Sequence, residues 1–218
     1  GLVGSEMCIR DSPCFIDMSR DNTTIVRVER SAVGDIEGTT IFRPERAQLD
    51  DNDKSNLRLL NLCDPYLAEF FFGGKTIIVE GDTEYTAFHY LKEMHPDIFK
   101  NVHVVRARGK ATIVSLMKIL NHFNASYSVL HDCDKKTAIR DGKEIANGAW
   151  TTNFNILDES KKIASPPVLV ASVPNFEGAY FDQELKSEKP YTALVKLREK
   201  GAFYDNVCKL FMFLVGQE

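Results

Sequence analysis

Strand-like and helix-like stretches alternate through the middle of the chain. Four short runs rich in β-branched and apolar residues occur at 76–80, 102–106, 127–130 and 168–173. Between them, apolar residues recur at spacings of three and four, which is the period of an amphipathic helix. This order predicts an α/β fold with a mostly parallel sheet of about four strands, joined by right-handed crossovers and flanked by helices.

The helices predicted for this region follow the same pattern. One lies near residues 83–94, one begins at Gly109, and one follows a polar loop within 143–163. Two more helices are expected at 191–198 and 203–215, and the last of them has no convincing C-terminal cap.

The first part of the chain has a different pattern. Residues 24–29 alternate between apolar and polar, and 38–44 form a second short β run that ends in proline. Asp50 lies in a polar break that predicts the start of a helix. Asp64 and Pro65 predict another helix, because proline is favoured at the first helical position.

Composition excludes several classes of protein. The 218 residues are 44% hydrophobic, which is enough for a core, and contain no apolar run of membrane-spanning length. The five cysteines form neither a CxxC pair nor a close cluster with histidine, so we expect no zinc site, no disulfide framework and a reducing cytoplasm. A net charge of -4 neither requires nor excludes a nucleic-acid partner.

Acidic residues follow the predicted strands. Glu80 follows the first strand, Asp132 and Asp134 follow the third, Glu177 comes shortly after the fourth, and Glu84 lies in the first turn of a helix. Carboxyl ends of parallel strands share one edge of the sheet, so these acids are expected to cluster and to bind Mg²⁺ or Mn²⁺. An alternative of equal weight is that Glu80 is an ordinary acid at the end of a strand and that Glu84 only complements the dipole of its helix.

The third strand ends in a D-x-D sequence. If the strand stays extended, Asp132 and Asp134 project to one side while Cys133 points away. His131 then points opposite Asp132, and we expect it to be a packed or hydrogen-bonded residue rather than a metal ligand.

Two glycine-lysine sequences are candidates for phosphate binding. The run 73–75 precedes a strand and lacks the Walker spacing, which excludes a P-loop. Gly109 and Lys110 begin a helix with Arg106 and Arg108 nearby, an arrangement that can bind phosphate. An interpretation of equal weight is that these basic residues are solvated charges beside a turn.

Several of these motifs together resemble a known domain. The run Ile77–Glu84, followed by Gly109, Lys110 and Leu130–Asp134, resembles the Toprim domain shared by topoisomerases, primases and some nucleases. The form V-E-G-x-T-E, with Asn175–Glu177 downstream, is most similar to the overcoming-lysogenisation-defect (OLD) family of ATP-dependent endonucleases.

The resemblance implies a domain order in which an ABC-type ATPase domain precedes the Toprim domain. The short run Ser12–Asp17 resembles the end of that ATPase domain, but no Walker A, Walker B or ABC signature is present, so ATP is expected to act only through a missing upstream domain. The expected divisions are a non-native, adapter-like segment at 1–12, an incomplete ATPase remnant with a short β segment at 13–46, a helical linker at 47–73, the Toprim domain at 74–185, and a truncated C-terminal helical segment at 186–218.

The resemblance implies roles for individual acidic residues of this chain. Glu80 corresponds to the Toprim glutamate, Asp132 and Asp134 to the DxD pair, and Glu84 and Glu177 to further acidic positions of the family. All five are expected to bind metal, and Glu80 and the DxD pair are also expected to be catalytic.

Basic residues and partners are likewise implied. The family uses a C-terminal lysine, for which Lys189 is the choice, with Lys186 and Lys196 as alternatives. Lys110 and Arg108 are expected to contact phosphate or DNA. The expected partners are DNA and a second copy of the chain in a homodimer, with no membrane.

These expectations favour Mg²⁺-dependent cleavage of a DNA phosphodiester, with two Mg²⁺ or Mn²⁺ ions. A topoisomerase or primase is another enzyme that uses such an acidic set, although the tyrosine nucleophile of the first and the nucleotide-binding region of the second are not identifiable. The non-enzymatic alternative is an inactive Toprim module with a regulatory or assembly role, which binds metal or DNA without cutting.

Overall fold

A computed structural model describes most of the chain, in the stretches 16–30, 34–64, 67–72, 74–181 and 188–216. The adapter-like segment 1–12 lies outside the described residues, as do Pro65, Gly73 and Lys186.

The predicted N-terminal strands are present. Strand β1 (Ile25–Arg30) pairs antiparallel with β2 (Ile36–Phe42). Phe42 is fully buried, and its ring stacks on that of Phe123 with the centroids 5.7 Å apart. The β pair is therefore joined to the core of the α/β region by apolar packing.

Helix α1 (Asp51–Cys63) begins where the polar break predicts. Asp50 accepts a hydrogen bond from the Asp53 amide, and the Asp53 carboxylate accepts one from the Asp50 amide, which is a capping box.

The next predicted α-helix is instead a 3-10 helix, Leu67–Phe72. Leu67 and Phe70 are buried, as are Ala68 and Phe71. These two pairs are each three residues apart, which matches the three residues per turn of a 3-10 helix better than the α-helical period.

A four-stranded parallel sheet forms the centre of the α/β region, in agreement with the predicted fold class. The strands are β3 (Lys75–Val79), β4 (Val102–Arg106), β5 (Tyr127–Asp132) and β8 (Val168–Ser172). Their order in the sheet is β4-β3-β5-β8, and all neighbours run parallel. Their carboxyl ends therefore lie along one edge.

Helices cover both faces of this sheet because its side chains alternate between two apolar cores. On β3, Ile77 and Val79 belong to one core and Ile78 to the other. The first core includes residues of α2 (Asp82–Met94), α3 (Pro96–Phe99), α6 (Phe176–Tyr180), α7 (Lys189–Arg198) and α8 (Ala202–Val215). The second includes residues of α1, α4 (Lys110–His122) and α5 (Gly148–Ser160).

The C-terminal helix has a cap, contrary to expectation. Gly216 follows α8 with φ 82° and ψ 31°, a left-handed conformation that glycine adopts without a Cβ penalty, and its amide donates to Phe213. In the described parts of the chain, no helix combines the length and apolar character that crossing a membrane requires.

A hairpin precedes and overlaps the start of 143–163, the stretch that was expected to contain a polar loop and a helix. Strand β6 (Thr137–Arg140) pairs antiparallel with β7 (Lys143–Ala146). The two turn residues, Asp141 and Gly142, have φ values of 51° and 73°. Positive φ at both positions is typical of the type I′ turn that joins twisted strands.

Candidate functional site

Two carboxyl groups from adjacent strands meet at the carboxyl edge of the sheet. Glu80 follows β3 and Asp132 ends β5, which pairs with β3. The Asp132 amide donates to Oε2 of Glu80 at 3.0 Å, and the Glu80 amide donates to the Leu130 carbonyl at 3.1 Å. The local backbone therefore fixes Glu80 against the end of the neighbouring strand.

Glu84 reaches the same place from the first turn of α2. Gly81 is the N-cap of this helix and makes no side-chain cap bond. A Cβ at Gly81 would lie 3.0 Å from Oε2 of Glu84, so the missing side chain leaves room for the Glu84 carboxyl group to fold back over the turn. Only 4% of Glu84 is exposed.

Glu177 comes from the short helix α6, which follows the edge strand β8. Its Oε1 accepts a hydrogen bond from the Thr83 hydroxyl at 3.2 Å and lies 3.4 Å from the Lys189 ammonium. The amide of the preceding residue, Phe176, donates to Oδ1 of Asp132 at 2.7 Å. These contacts join α6 to the end of β5 and to the start of α2.

Asp134 is placed differently from the expectation for an extended D-x-D sequence. The strand ends at Asp132, and Asp134 has φ 61°, which is left-handed. Its carboxylate pairs with the Lys110 ammonium, which also donates to the Ala149 carbonyl at 3.3 Å. The alternation rule fails here because it applies only while the backbone remains extended.

We call Glu80, Glu84, Asp132, Asp134 and Glu177 the acidic rim. Burial raises the pKa of Glu84 to about 8, and the charges of Asp132, Glu80 and Glu177 act in the same direction. Burial followed by the charge of Glu80 raises the pKa of Asp132 to about 7. Burial also raises the pKa of Glu80, which the Asp132 amide and Lys110 only partly offset. Because the acids disfavour one another's ionisation, the rim favours bound protons or a cation.

The donor chemistry of the rim fits a hard divalent cation, since every donor is a carboxylate oxygen. In the conformation described, the carboxylates are engaged by backbone amides, Thr83 and two lysines. Among the residues that the structure describes, no three acidic, histidine or cysteine side chains are close enough to hold an ion. Binding would therefore require these side chains to turn toward a common point.

His131 is a buried residue, as expected. Its Nδ1 lies 2.9 Å from the Asp132 carbonyl oxygen, and burial lowers the pKa of its imidazole. This environment agrees with the expectation of a packed or hydrogen-bonded residue.

The basic residues near the rim differ in their exposure to solvent and in the partners that they already contact. Lys110 has only 3% of its side chain exposed and is engaged by Asp134. Arg106 pairs with Asp82 at 2.7 Å and lies 4.9 Å from the centre of the Tyr85 ring. Arg108 is exposed, with φ 57°. Phosphate contact by Lys110 and Arg108 stays a prediction, and for Lys110 it would require the pair with Asp134 to open.

The candidate C-terminal lysines are separated by the fold. Lys189 is the first residue of α7 and lies beside Glu177. Lys196, two turns further along the helix, instead lies 4.8 Å from the centre of the Phe203 ring. Of the two candidates that the structure describes, Lys189 is the one in contact with the acidic rim.

Residues 71–134 match the family model described as overcoming lysogenization defect protein-like, TOPRIM domain. This part of the chain is an OLD-like Toprim domain. The match contains Glu80, Glu84, Asp132 and Asp134 of the rim, and it ends before Glu177. No curated protein matches the chain.

Sequence reasoning missed several contacts around the Toprim domain. The Thr83 bond to Glu177 and the pair between Lys110 and Asp134 join residues that are far apart in sequence, and no local pattern signals them. The β6–β7 hairpin did have a signal, because Asp141-Gly142 is a preferred type I′ turn sequence.

Proposed function

We propose that this Toprim domain cleaves phosphodiester bonds of DNA in the presence of Mg²⁺ or Mn²⁺. The observation that carries the proposal is the hydrogen bond from the Asp132 amide to the Glu80 carboxylate, which holds Glu80 against the end of the strand that carries Asp132. Glu84 and Glu177 are close enough for charge interaction with Asp132. The match to a Toprim domain of the OLD-like type supports a nucleic-acid substrate.

The acidic rim would hold the metal. When bound, a divalent cation activates water and stabilises the leaving oxygen of a phosphodiester. The Phe176 amide and the Thr83 hydroxyl orient Asp132 and Glu177. Protons retained by Glu84 and Asp132 near neutral pH must leave before these carboxylates bind a cation, so metal binding should strengthen as the pH rises.

Lys189 is the basic residue that we assign to the scissile phosphate. Its ammonium lies 3.4 Å from Glu177, and 46% of its side chain is exposed. The lysine is therefore accessible from solvent while it touches the rim. A cation in this position offsets negative charge that develops on the phosphate in the transition state.

Nicking of supercoiled plasmid by the full chain in Mg²⁺ or Mn²⁺ tests the proposal. Glu80→Gln and Asp132→Asn should each lower the nicking rate by at least about a hundredfold, because each removes charge at the reacting centre. Glu93→Gln is the matched control, since Glu93 is an exposed acid on α2. Absence of nicking by the wild-type chain, or equal rates for all variants, would contradict the proposal.

A second candidate is a module that binds DNA or metal without cutting. The observation that favours it is the buried Lys110 ammonium, which already neutralises Asp134. DNA binding that persists without nicking in either metal would support this candidate over the nuclease.

A further inference from the structure

The β6–β7 hairpin begins at the acidic rim. Two residues separate Asp134 from Thr137 in the first ladder pair of the hairpin, and the base is held by Asn147. The Asn147 amide donates to the Lys136 carbonyl at 3.0 Å, and its side chain donates to the Lys135 carbonyl at 2.8 Å. The hairpin is therefore fixed at one end to the segment that carries Asp134.

The two faces of the hairpin carry different charges. The register places Arg140 opposite Lys143, so these side chains share one face. Glu144, opposite Ile139, lies on the other face. Lys136 immediately precedes the first ladder pair, at the base of the hairpin, where its carbonyl accepts from the Asn147 amide. We call the three exposed cations Lys136, Arg140 and Lys143 the basic face.

This charge arrangement opposes the stability of the hairpin itself. Like charges directly opposite one another destabilise a strand pair, as at Arg140 and Lys143. All three cations of the basic face are exposed, and none makes an ion pair with a residue that the structure describes. Ile139 on the other face is 81% exposed, so little apolar burial compensates. An anion bound between these cations would offset their mutual repulsion.

The dimensions of the basic face suit a phosphate backbone. Lys136 and Arg140 are four residues apart, so the chain between them spans at most about 13 Å. Duplex DNA carries one charge per about 3.4 Å of axis on each strand, so this length covers several phosphates. An acidic peptide has the same sign of charge, but the position of the hairpin beside Asp134 favours a polymer that extends into the rim.

We propose that Lys136, Arg140 and Lys143 bind the phosphate backbone of DNA and hold it against the acidic rim. This inference rests on the proposed function for its choice of nucleic acid over other polyanions. It assigns binding, and no chemical step, to the hairpin.

Fluorescence anisotropy with a short labelled DNA duplex tests the inference on the full chain, in EDTA and again in Mg²⁺. The triple variant Lys136→Gln/Arg140→Gln/Lys143→Gln should lose at least about tenfold in affinity between about 50 and 200 mM salt. The slope of log affinity against log salt should fall in magnitude by about 2 to 3, because up to three phosphate contacts are removed.

A charge-matched triple variant is the control. Lys100→Gln/Lys161→Gln/Arg198→Gln removes three exposed cations from other helices and turns and should change the affinity by less than about twofold. Glu144→Gln, on the opposite face of the hairpin, should behave like this control. Since all these side chains are exposed, thermal unfolding should be the same for every variant.

Three outcomes would overturn the inference. The first is no DNA binding by the wild-type chain, and the second is an equal loss of DNA affinity in the two triple variants. The third is that the hairpin variant loses more affinity for labelled polyglutamate than for DNA. A selective loss in the hairpin variant supports it, even if the wild-type chain never nicks plasmid. In that case the proposed nuclease function alone fails.

Discussion

The acidic rim and the basic face meet at Asp134, yet they are built in different ways. The rim collects acids from the ends of β3 and β5 and from α2 and α6. Amides, a hydroxyl and a lysine hold four of them, Glu80, Asp132, Asp134 and Glu177. The basic face comes from one exposed hairpin of consecutive residues. Changes in the rim should therefore alter stability and chemistry together, whereas changes in the basic face should alter binding alone.

The largest expected effect on stability is at Glu84. Because burial raises its pKa to about 8 in the folded chain, the folded state keeps a proton that the unfolded state releases near its ordinary pKa of 4.5. The stability contributed by this group is complete below about pH 4.5 and is lost as the pH rises through about 8. At pH 9 in EDTA, Glu84→Gln should be more stable than the wild type by on the order of 3 kcal/mol, and near pH 4 equally stable.

Urea unfolding across this pH range measures the difference. Glu93→Gln, the exposed control on the same helix, should track the wild type within about 0.5 kcal/mol at every pH. Parallel stability curves for Glu84→Gln and the wild type would show that the Glu84 carboxyl group does not retain its proton on folding.

A smaller effect is expected at the ion pair that joins the rim to α4. Lys110→Met leaves Asp134 without its partner, and because a third of the Asp134 side chain is exposed, the cost should be about 2 kcal/mol rather than the full penalty of a buried charge. Lys136→Met on the basic face should change the free energy of unfolding by less than about 0.5 kcal/mol.

Adding Asp134→Asn to each background completes a double-mutant cycle. Coupling energy should appear with Lys110 and be absent with Lys136. Additive losses in the Lys110 cycle would mean that the pair contributes no interaction energy.

Lys189 should affect turnover more than stability. Lys189→Ala should slow plasmid nicking about tenfold, equivalent to about 1.4 kcal/mol, because the cation beside Glu177 is lost. Lys196→Ala, on the same helix but packed on Phe203, should leave the rate unchanged. Equal rates for the two variants would remove Lys189 from the proposed mechanism.

The parallel sheet was predictable because its signals are local. Continuous apolar strands alternate with amphipathic helices, and strand direction then brings Glu80 and Asp132 to one edge. The helix start at Asp50 was equally local, since a polar residue three positions from Asp53 forms a capping box.

The details of the rim depend on tertiary contacts that no short pattern contains. Asp134 leaves the extended conformation at the end of β5 and meets Lys110, whose position depends on how α4 packs on the sheet. The sequence pattern around Gly109 therefore predicts a helix start correctly but not the partner of its first lysine. The hairpin was missed for the opposite reason, because its turn signal is local while its strands lack apolar alternation.

The smallest effect on global stability is expected at the hairpin turn. Gly142 has φ 73°, and an added Cβ would meet no atom within 4 Å, so Gly142→Ala introduces only the strain of a left-handed backbone, about 1 kcal/mol. Because the hairpin side chains are largely exposed, this strain should loosen the hairpin and weaken DNA binding while changing global unfolding by less than about 0.5 kcal/mol.

Gly74, the residue before β3, is the matched control for the hairpin turn. Its φ is 91°, and a Cβ there would clash with the carbonyl oxygen of Asn101, the residue before β4. Gly74→Ala should cost more than about 2 kcal/mol, because a backbone atom of the parallel sheet must move. Urea unfolding and amide hydrogen exchange at Glu144 separate the two cases. If Gly142→Ala lowered global stability as much as Gly74→Ala, the hairpin would be part of the cooperative core, and the independence of the basic face from the acidic rim would be wrong.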